Sequence, residues 1–253
     1  MTQQVNEPFV AVIPARYDSS RLPGKPLAEI AGKPMAMHVY DRARSSGADQ
    51  VLLATDDQRI AAAARRHGAR VAMTSASHAS GTDRIAEVSR ILSWPDDRIV
   101  VNVQGDEPLI PPQLIAQVAQ LLADHRDAGV ATLTTPFMAG EDASDTGFAK
   151  VVTDRDGYAL YFSRAVIPHA RDSARPDALK RHVGLYAYRV GALRKVSAAG
   201  VCELESIEKL EQLRCLWLGM RIIVADACAP PPRGVDTAED LEIVRTQIEQ
   251  QGV

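Results

Sequence analysis

Apolar residues gather in short runs rich in valine and isoleucine: FVAVI at 9–13, QVLLAT at 50–55, RVAM at 70–73, RIVVNV at 98–103 and GVATLTT at 129–135. Runs of this length, bounded by polar and turn residues, predict strands buried on both faces. Between them the apolar positions take a helical period over 34–46, where a proline stands at the start, over 58–67, which ends before Gly68, and over 83–92 and 112–125. Strand and helix alternate, which predicts an α/β fold on a mainly parallel, doubly wound sheet.

After Thr135 the rhythm changes. KVVTDRDGYALYFSR reads as two alternating runs around Asp156-Gly157, a hairpin signal. HVGLYAYR at 182–189 predicts another strand, 206–218 a helix, and 221–225 a further strand. Thr237-Ala-Glu-Asp240 has the form of a capping box that opens the last helix. The pattern implies a nucleotide-sized α/β half with a more antiparallel insert. There is no internal repeat, and no linker rich enough in Gly, Pro or Ser to mark independent domains.

Composition narrows the function classes. The 253 residues suffice for a substantial core, and 46% apolar with 24% charged residues is ordinary globular usage. A formal net charge of -3 gives no general attraction to nucleic acid, so the cluster of Arg16, Arg21 and Lys25 suits a small anion. Three cysteines, Cys202, Cys215 and Cys228, form no CxxC, which argues against a disulfide framework and a thiolate zinc site and fits a reducing cytosol. The polar MTQQVNEP start lacks a signal-peptide pattern and no apolar run approaches a membrane span, so a cytoplasmic protein without a membrane partner is expected.

The candidate chemistry lies in loops. Ligands of an open α/β sheet bind beyond the carboxyl ends of its strands, where IPARYDSSRLPGKPL (13–27) follows the first run. Gly24 and the small residues Ala15, Ser19 and Ser20 permit close backbone approach, and Arg16 and Lys25 can neutralise phosphate oxygens. The loop is neither a GxGxxG nor a Walker P-loop, since RLPGKP lacks the spacing and the Ser/Thr after the lysine. RIVVNV runs into QGDEPLI, which places Asp106 and Glu107 beside Gly105, where a carboxylate can hold Mg²⁺ against a nucleotide phosphate. Asp236 of GVDTAEDL read alone is a helix-start residue; together with Asp106 and the basic loop it reads as a second metal carboxylate.

IPARYDSSRLPGKPL, VLLATDD, SGTDRIAEV, VNVQGDEPLIP, YALYFSRAVIP, RHVGLYAYR, LEQLRCLW and GVDTAEDL follow one another in this order. Together they resemble the 3-deoxy-manno-octulosonate (Kdo) cytidylyltransferase family over nearly the whole chain. The resemblance implies one nucleotidyltransferase domain over 1–253, on a GT-A/Rossmann-like sheet, with residues 136–220 contributing a sugar-binding and dimerisation lobe. It implies in-line transfer of CMP from CTP to the anomeric hydroxyl of Kdo, with release of pyrophosphate, for lipopolysaccharide synthesis. Arg16 and Lys25 would then grip the triphosphate; Pro14, Ala15, Arg84 and Gln104 would line the cytosine and ribose pocket. Asp106 and Asp236 would hold Mg²⁺, with Arg16, Lys25 and Asp106 forming the catalytic set, and Arg164, His182, Tyr186, Glu211 and Gln212 would meet the sugar. A homodimer through the smaller lobe is expected on the same ground.

Periodicity alone reads several of these residues otherwise: Arg84 as an exposed helix residue, Tyr186 as half-buried packing, Glu211 and Gln212 as solvent-facing. His38, His67, His78, His125 and His169 lack metal-ligand spacing and read as structural or surface, and Arg59, Arg65, Arg66 and Arg70 as a solvated cluster. The chain departs from the family pattern at Asp83, where SGTER is expected, in a short connection between Pro168 and Arg181, and in CELES before the 206–218 segment. These departures bear on how the sugar pocket closes and which acceptor it prefers: Kdo, its 8-amino analogue or, against the match of RHVGLYAYR and LEQLRCLW, sialic acid. A non-catalytic nucleotide binder is marked by loss of Asp106, Asp236 or Lys25, and a Rossmann dehydrogenase by a Gly-rich first loop; neither mark is present.

Overall fold

The computed structural model describes residues 5–18, 22–138, 140–171, 179–232 and 234–250. Ser19, Ser20 and Arg21 of the basic loop, and part of the connection before Arg181, lie outside the described residues.

The first half alternates as its pattern predicts. β1 (Phe9–Ala15) leads through a 3₁₀ turn (Lys25–Leu27) to the two-residue strands β2 (Glu29–Ile30) and β3 (Lys33–Pro34). Then come α1 (Met35–Arg44), β4 (Gln50–Thr55), α2 (Gln58–Arg66), β5 (Val71–Met73), α3 (Gly81–Ile91), β6 (Ile99–Asn102), α4 (Pro112–Asp124) and β7 (Val130–Pro136). Local chemistry sets the starts: the Asp57 carboxylate accepts from Arg59 and Ile60 backbone N–H groups, and Ser80 Oγ accepts from Asp83 N at 3.1 Å.

The second half holds β8 (Lys150–Thr153), β9 (Ala159–Ser163), β10 (Lys180–Arg189), α5 (Val190–Ala198), α6 (Glu203–Glu208), α7 (Gln212–Trp217), β11 (Ile222–Asp226) and α8 (Ala238–Gln250). β8 and β9 form the expected hairpin, turned at Gly157 with φ 87°. The helix expected over 206–218 is two helices. Lys209 takes a left-handed φ of 54°, which ends α6 and drops Leu210 into the core. The buried Arg214 of α7 then donates back to Glu205 at 2.7 and 2.5 Å, tying the two pieces together. α5 has no separate signal in the sequence, because its apolar stripe, Val190, Leu193 and Val196, runs on from the β10 pattern without a break.

Nine of the eleven strands form one sheet with the path β11-β7-β10-β6-β1-β4-β5, to which the β8–β9 hairpin attaches at β10, and β2 and β3 pair separately. The pairs β1–β4, β1–β6, β4–β5 and β7–β11 are parallel, whereas β10 runs antiparallel between β6 and β7. The sheet is therefore mostly parallel, and the antiparallel strand of the 136–220 region lies inside it. Successive residues of β1 feed opposite layers: Phe9, Ala11 and Ile13 pack with α1 and α4, and Val10 and Val12 with α3 and α5. A third cluster, Ile30 and Met35 with Val235, Leu241, Val244 and Ile248, holds α8 against the β2–β3 turn. Among the described residues no helix is long and apolar enough to cross a membrane.

Candidate active site

The carboxyl ends of β1 and β6 meet beside the 3₁₀ turn, and between them opens a cleft of about 300 Å³. Pro14, Ala15, Arg16, Lys25, Arg84, Gln104, Asp106 and Asp236 all line it. Gly24, left-handed at φ 70°, starts the turn that aims Lys25 inward, and its N–H donates to Tyr17 O at 2.9 Å. Lys25 Nζ donates to Asp106 Oδ2 at 2.6 Å, to Val235 O at 2.9 Å and to Asp236 Oδ1 at 3.3 Å. Two carboxylates from distant parts of the chain thus converge on one ammonium.

Asp236 is delivered by the capped start of α8. Asp240 Oδ2 accepts from Thr237 N at 3.0 Å while Thr237 Oγ1 accepts from Asp240 N at 3.1 Å, the reciprocal pair predicted for the capping box. Val235 N donates to Asp106 O at 2.8 Å, which stitches this segment to the end of β6. Beside Asp106, the Glu107 carboxyl is pushed up to about 8, by burial first and by the Asp106 charge second.

Arg84 is not an exposed helix residue. It is 3% exposed, its Nη1 donates to Thr74 Oγ1 at 2.5 Å, and its Nη2 lies 3.3 Å from Asp56 Oδ1. His78, expected to be structural or on the surface, also lines the cleft; its Nε2 is 2.5 Å from Glu87 Oε2, and the same oxygen accepts from Ser75 N at 2.8 Å. Arg59 is exposed, as expected of the solvated cluster, and stacks on the Tyr17 ring, 3.4 Å from its centroid, while bonded to Asp57.

A second cavity of about 150 Å³ adjoins the cleft, sharing Gly81 and Gln104 with it. Its walls include Tyr186, Glu211 and Gln212 from the expected sugar set, with Thr82, Asn102 and Tyr188 in addition. Tyr186 and Tyr188 stack at 5.8 Å, and burial raises both phenols well above their ordinary range. Burial also raises the Glu211 carboxyl, which accepts from Ser80 Oγ at 3.4 Å. Asn102 carried a sequence signal, as a lone polar side chain near the end of an apolar central run.

His182 and Arg164 stand outside both linings. The His182 ring is 5.3 Å from that of Tyr186 and edge-on to Phe162, its Nε2 is 3.0 Å from Thr132 Oγ1, and burial lowers it to about 3. Arg164 donates to the carbonyls of Glu208 at 2.8 Å, Thr146 at 2.7 Å and Lys209 at 3.3 Å.

A cleft at the strand ends, floored by a lysine and two carboxylates and adjoined by a second cavity, is the arrangement of a nucleotide-dependent transferase. The family model described as cytidylyltransferase matches residues 10–222. The 3-deoxy-manno-octulosonate cytidylyltransferase of Serratia proteamaculans is 53% identical over 246 residues, covering 95% of this chain and 98% of its own. That of Hahella chejuensis is 55% identical over 245 residues, covering 94% and 96%. The solved structure of a CMP:2-keto-3-deoxy-manno-octonic acid synthetase complexed with CTP superposes with a TM-score of 0.89 at 43% identity, over 97% of this chain and 100% of that one. The chain belongs to the 3-deoxy-manno-octulosonate cytidylyltransferase family. A 4-diphosphocytidyl-2C-methyl-D-erythritol synthase, at 15% identity and a TM-score of 0.64 over 96% of this chain, shares the fold.

Proposed function

We propose that the protein transfers CMP from CTP to the anomeric hydroxyl of Kdo. The observation that carries this reading is the junction of the two cavities: the Lys25–Asp106–Asp236 cluster floors one, Tyr186, Glu211 and Gln212 wall the other, and Gln104 belongs to both. Triphosphate in the first and acceptor in the second would bring the acceptor oxygen to the α-phosphorus. That oxygen forms the new P–O bond, the bond to the β-phosphate breaks, pyrophosphate leaves with the bonding pair, and the hydroxyl proton passes to solvent. The reaction asks for positioning and charge neutralisation, and for no covalent protein nucleophile.

Arg16, exposed at the mouth of the cleft, and Lys25 at its floor would neutralise the leaving pyrophosphate. Arg84, fixed by Thr74, and the backbone of Pro14 and Ala15 would hold the nucleoside. Among the described residues no three His, Cys, Asp or Glu side chains are grouped to hold a metal ion. The donor set nonetheless suits Mg²⁺, which takes one or two carboxylates and completes its shell with phosphate oxygens and water. Asp106 and Asp236 would hold it, and it would supply charge neutralisation at the α-phosphate and a lowered pKa for the attacking hydroxyl. His182, outside the acceptor cavity, would orient Tyr186 through its ring contact. A bond from Arg164 to the acceptor carboxylate requires the sugar to extend past the cavity toward α6.

Exposed apolar residues on the smaller lobe, Leu160 at 62%, Ile207 at 71% and Trp217 at 57%, support a homodimer through that face. We place the enzyme in the cytoplasm, supplying CMP-Kdo for lipopolysaccharide synthesis. Pyrophosphate release from CTP and Mg²⁺, with and without Kdo, tests the reaction. Release that depends on Kdo is expected; release with only the 8-amino analogue or sialic acid would move the acceptor assignment, and none with any acceptor would overturn the reading.

A further inference from the structure

An ammonium has three N–H bonds, and Lys25 has an acceptor for each: Asp106 Oδ2 at 2.6 Å, Val235 O at 2.9 Å and Asp236 Oδ1 at 3.3 Å. The lysine side chain is 14% exposed, whereas those of Asp106 and Asp236 remain 30% and 46% exposed in the wall of the cleft. The two carboxylates are thus gathered around one cation and still open to another. Lysine carries a compact charge on a flexible four-carbon stem, so its head can move while Gly24 and the 3₁₀ turn stay in place.

We propose that Lys25 is the internal counter-ion of the metal position: it competes with a divalent cation for Asp106 and Asp236, and the cation that replaces it sends the ammonium to the triphosphate. This assignment rests on the reading of Asp106 and Asp236 as metal carboxylates. A divalent cation draws on the same negative charge that Lys25 now holds, and two cations this close repel each other. A metal arriving alone therefore leaves the ammonium without an anionic partner, and binds weakly. Triphosphate oxygens give Lys25 a new partner and release the carboxylates. Nucleotide then raises the affinity for metal, and metal raises the affinity for nucleotide by the same factor. Lys25 also acts as a positioning residue, since its bonds hold the end of β6 and the segment before α8 at the separation that a shared cation needs.

Mn²⁺ without nucleotide is the probe. Its binding is measured from the paramagnetic resonance of the unbound ion, and thermal unfolding is followed across the same titration. Lys25→Met should bind Mn²⁺ at least about tenfold more tightly than the wild type, and its melting temperature should climb more steeply with Mn²⁺. Arg16→Gln removes a positive charge from the same cleft lining while leaving the three Lys25 bonds in place, and should change Mn²⁺ affinity by less than about threefold. Adding Asp106→Ala to Lys25→Met should abolish the gain. Equal Mn²⁺ affinity in wild type and Lys25→Met, or an equal gain in Arg16→Gln, overturns the proposal. If Lys25→Met fails to fold, Lys25→Gln, which keeps a donor for Val235 O, decides by the same outcomes. A gain that survives Asp106→Ala, or wild-type turnover that needs no divalent cation, sinks the metal reading and this inference with it. Metal-dependent wild-type turnover with unchanged Mn²⁺ affinity in the Lys25 variants sinks this inference alone.

Discussion

Gly105 lies so close to Pro14 that a β-carbon on it would stand 2.7 Å from the Pro14 carbonyl oxygen. Gly81 presses from another side, where a β-carbon would meet Pro14 Cγ at 3.0 Å. Pro14 is thereby pinched between the ends of β6 and α3, and with it the backbone that would face the nucleoside. Gly105→Ala sets a methyl against main chain, which cannot swing aside. We expect a loss of about 1–3 kcal/mol of stability, with weaker CTP binding, read by thermal unfolding and calorimetry. A variant with native melting temperature and native CTP affinity would show that the pinch has no role.

Asp106→Ala should lower turnover by about 10² to 10³ or more while CTP binding changes far less, because the charge it manages develops mainly in the transition state. Turnover within a fewfold of wild type contradicts the metal assignment. Lys25→Met should lower turnover and also the stability of the free protein, leaving Asp106 and Asp236 to repel each other; adding Asp106→Ala should recover part of the lost stability, a non-additivity that chemical denaturation would measure.

Much of this architecture was readable in sequence. β4 spans the predicted 50–55, and the Asp156-Gly157 turn and the Thr237–Asp240 capping box formed as their chemistry required. The break at Lys209 was not, because a lysine in a left-handed conformation leaves no glycine to announce it. Nor could alternation along HVGLYAYR name β6 and β7 as partners, since period-two patterning fixes which faces are buried and not which strands lie alongside. At the site, the residue types on each loop were legible. Their grouping was expected from Asp106, Asp236 and the basic loop read together, but the direct bonds of Lys25 to carboxylates 81 and 211 positions away were not, since spacing carries no such contact.

His182 gives a pH signature. Burial beside Phe162 and Tyr186 lowers its folded pKa from 6.5 to about 3. Between those values the unfolded chain binds a proton that the folded protein refuses, so its contribution is intact above pH 6.5 and is lost as the pH falls toward 3. The slope should approach about 1.4 kcal/mol per pH unit. His182→Gln should flatten it in urea titrations across that window; an unchanged slope would show that the ring titrates as it does in water.

Lys209→Gly should stabilise the protein. A side chain at φ 54° carries a penalty of about 1 kcal/mol that glycine avoids. The melting temperature should rise by about 2–4 °C, with the Glu205–Arg214 pair undisturbed. A fall would mean that the lysine side chain contributes more than its backbone loses.

The position of β10 limits how this enzyme can change its acceptor. β7 and β11, the strands on either side of the inserted segment in sequence, pair in parallel as immediate neighbours, an arrangement that would suit an exchangeable cassette. Yet β10, the strand that carries Tyr186, is threaded between β6 and β7, and pulling it out would split the sheet at its centre. Acceptor preference in such a scaffold is not inherited as a graftable module. With Tyr186 in its proposed role, it would drift by single side chains on a strand that the core cannot release, which makes few-residue redesign, and not loop or domain grafting, the practical route to new sugar acids.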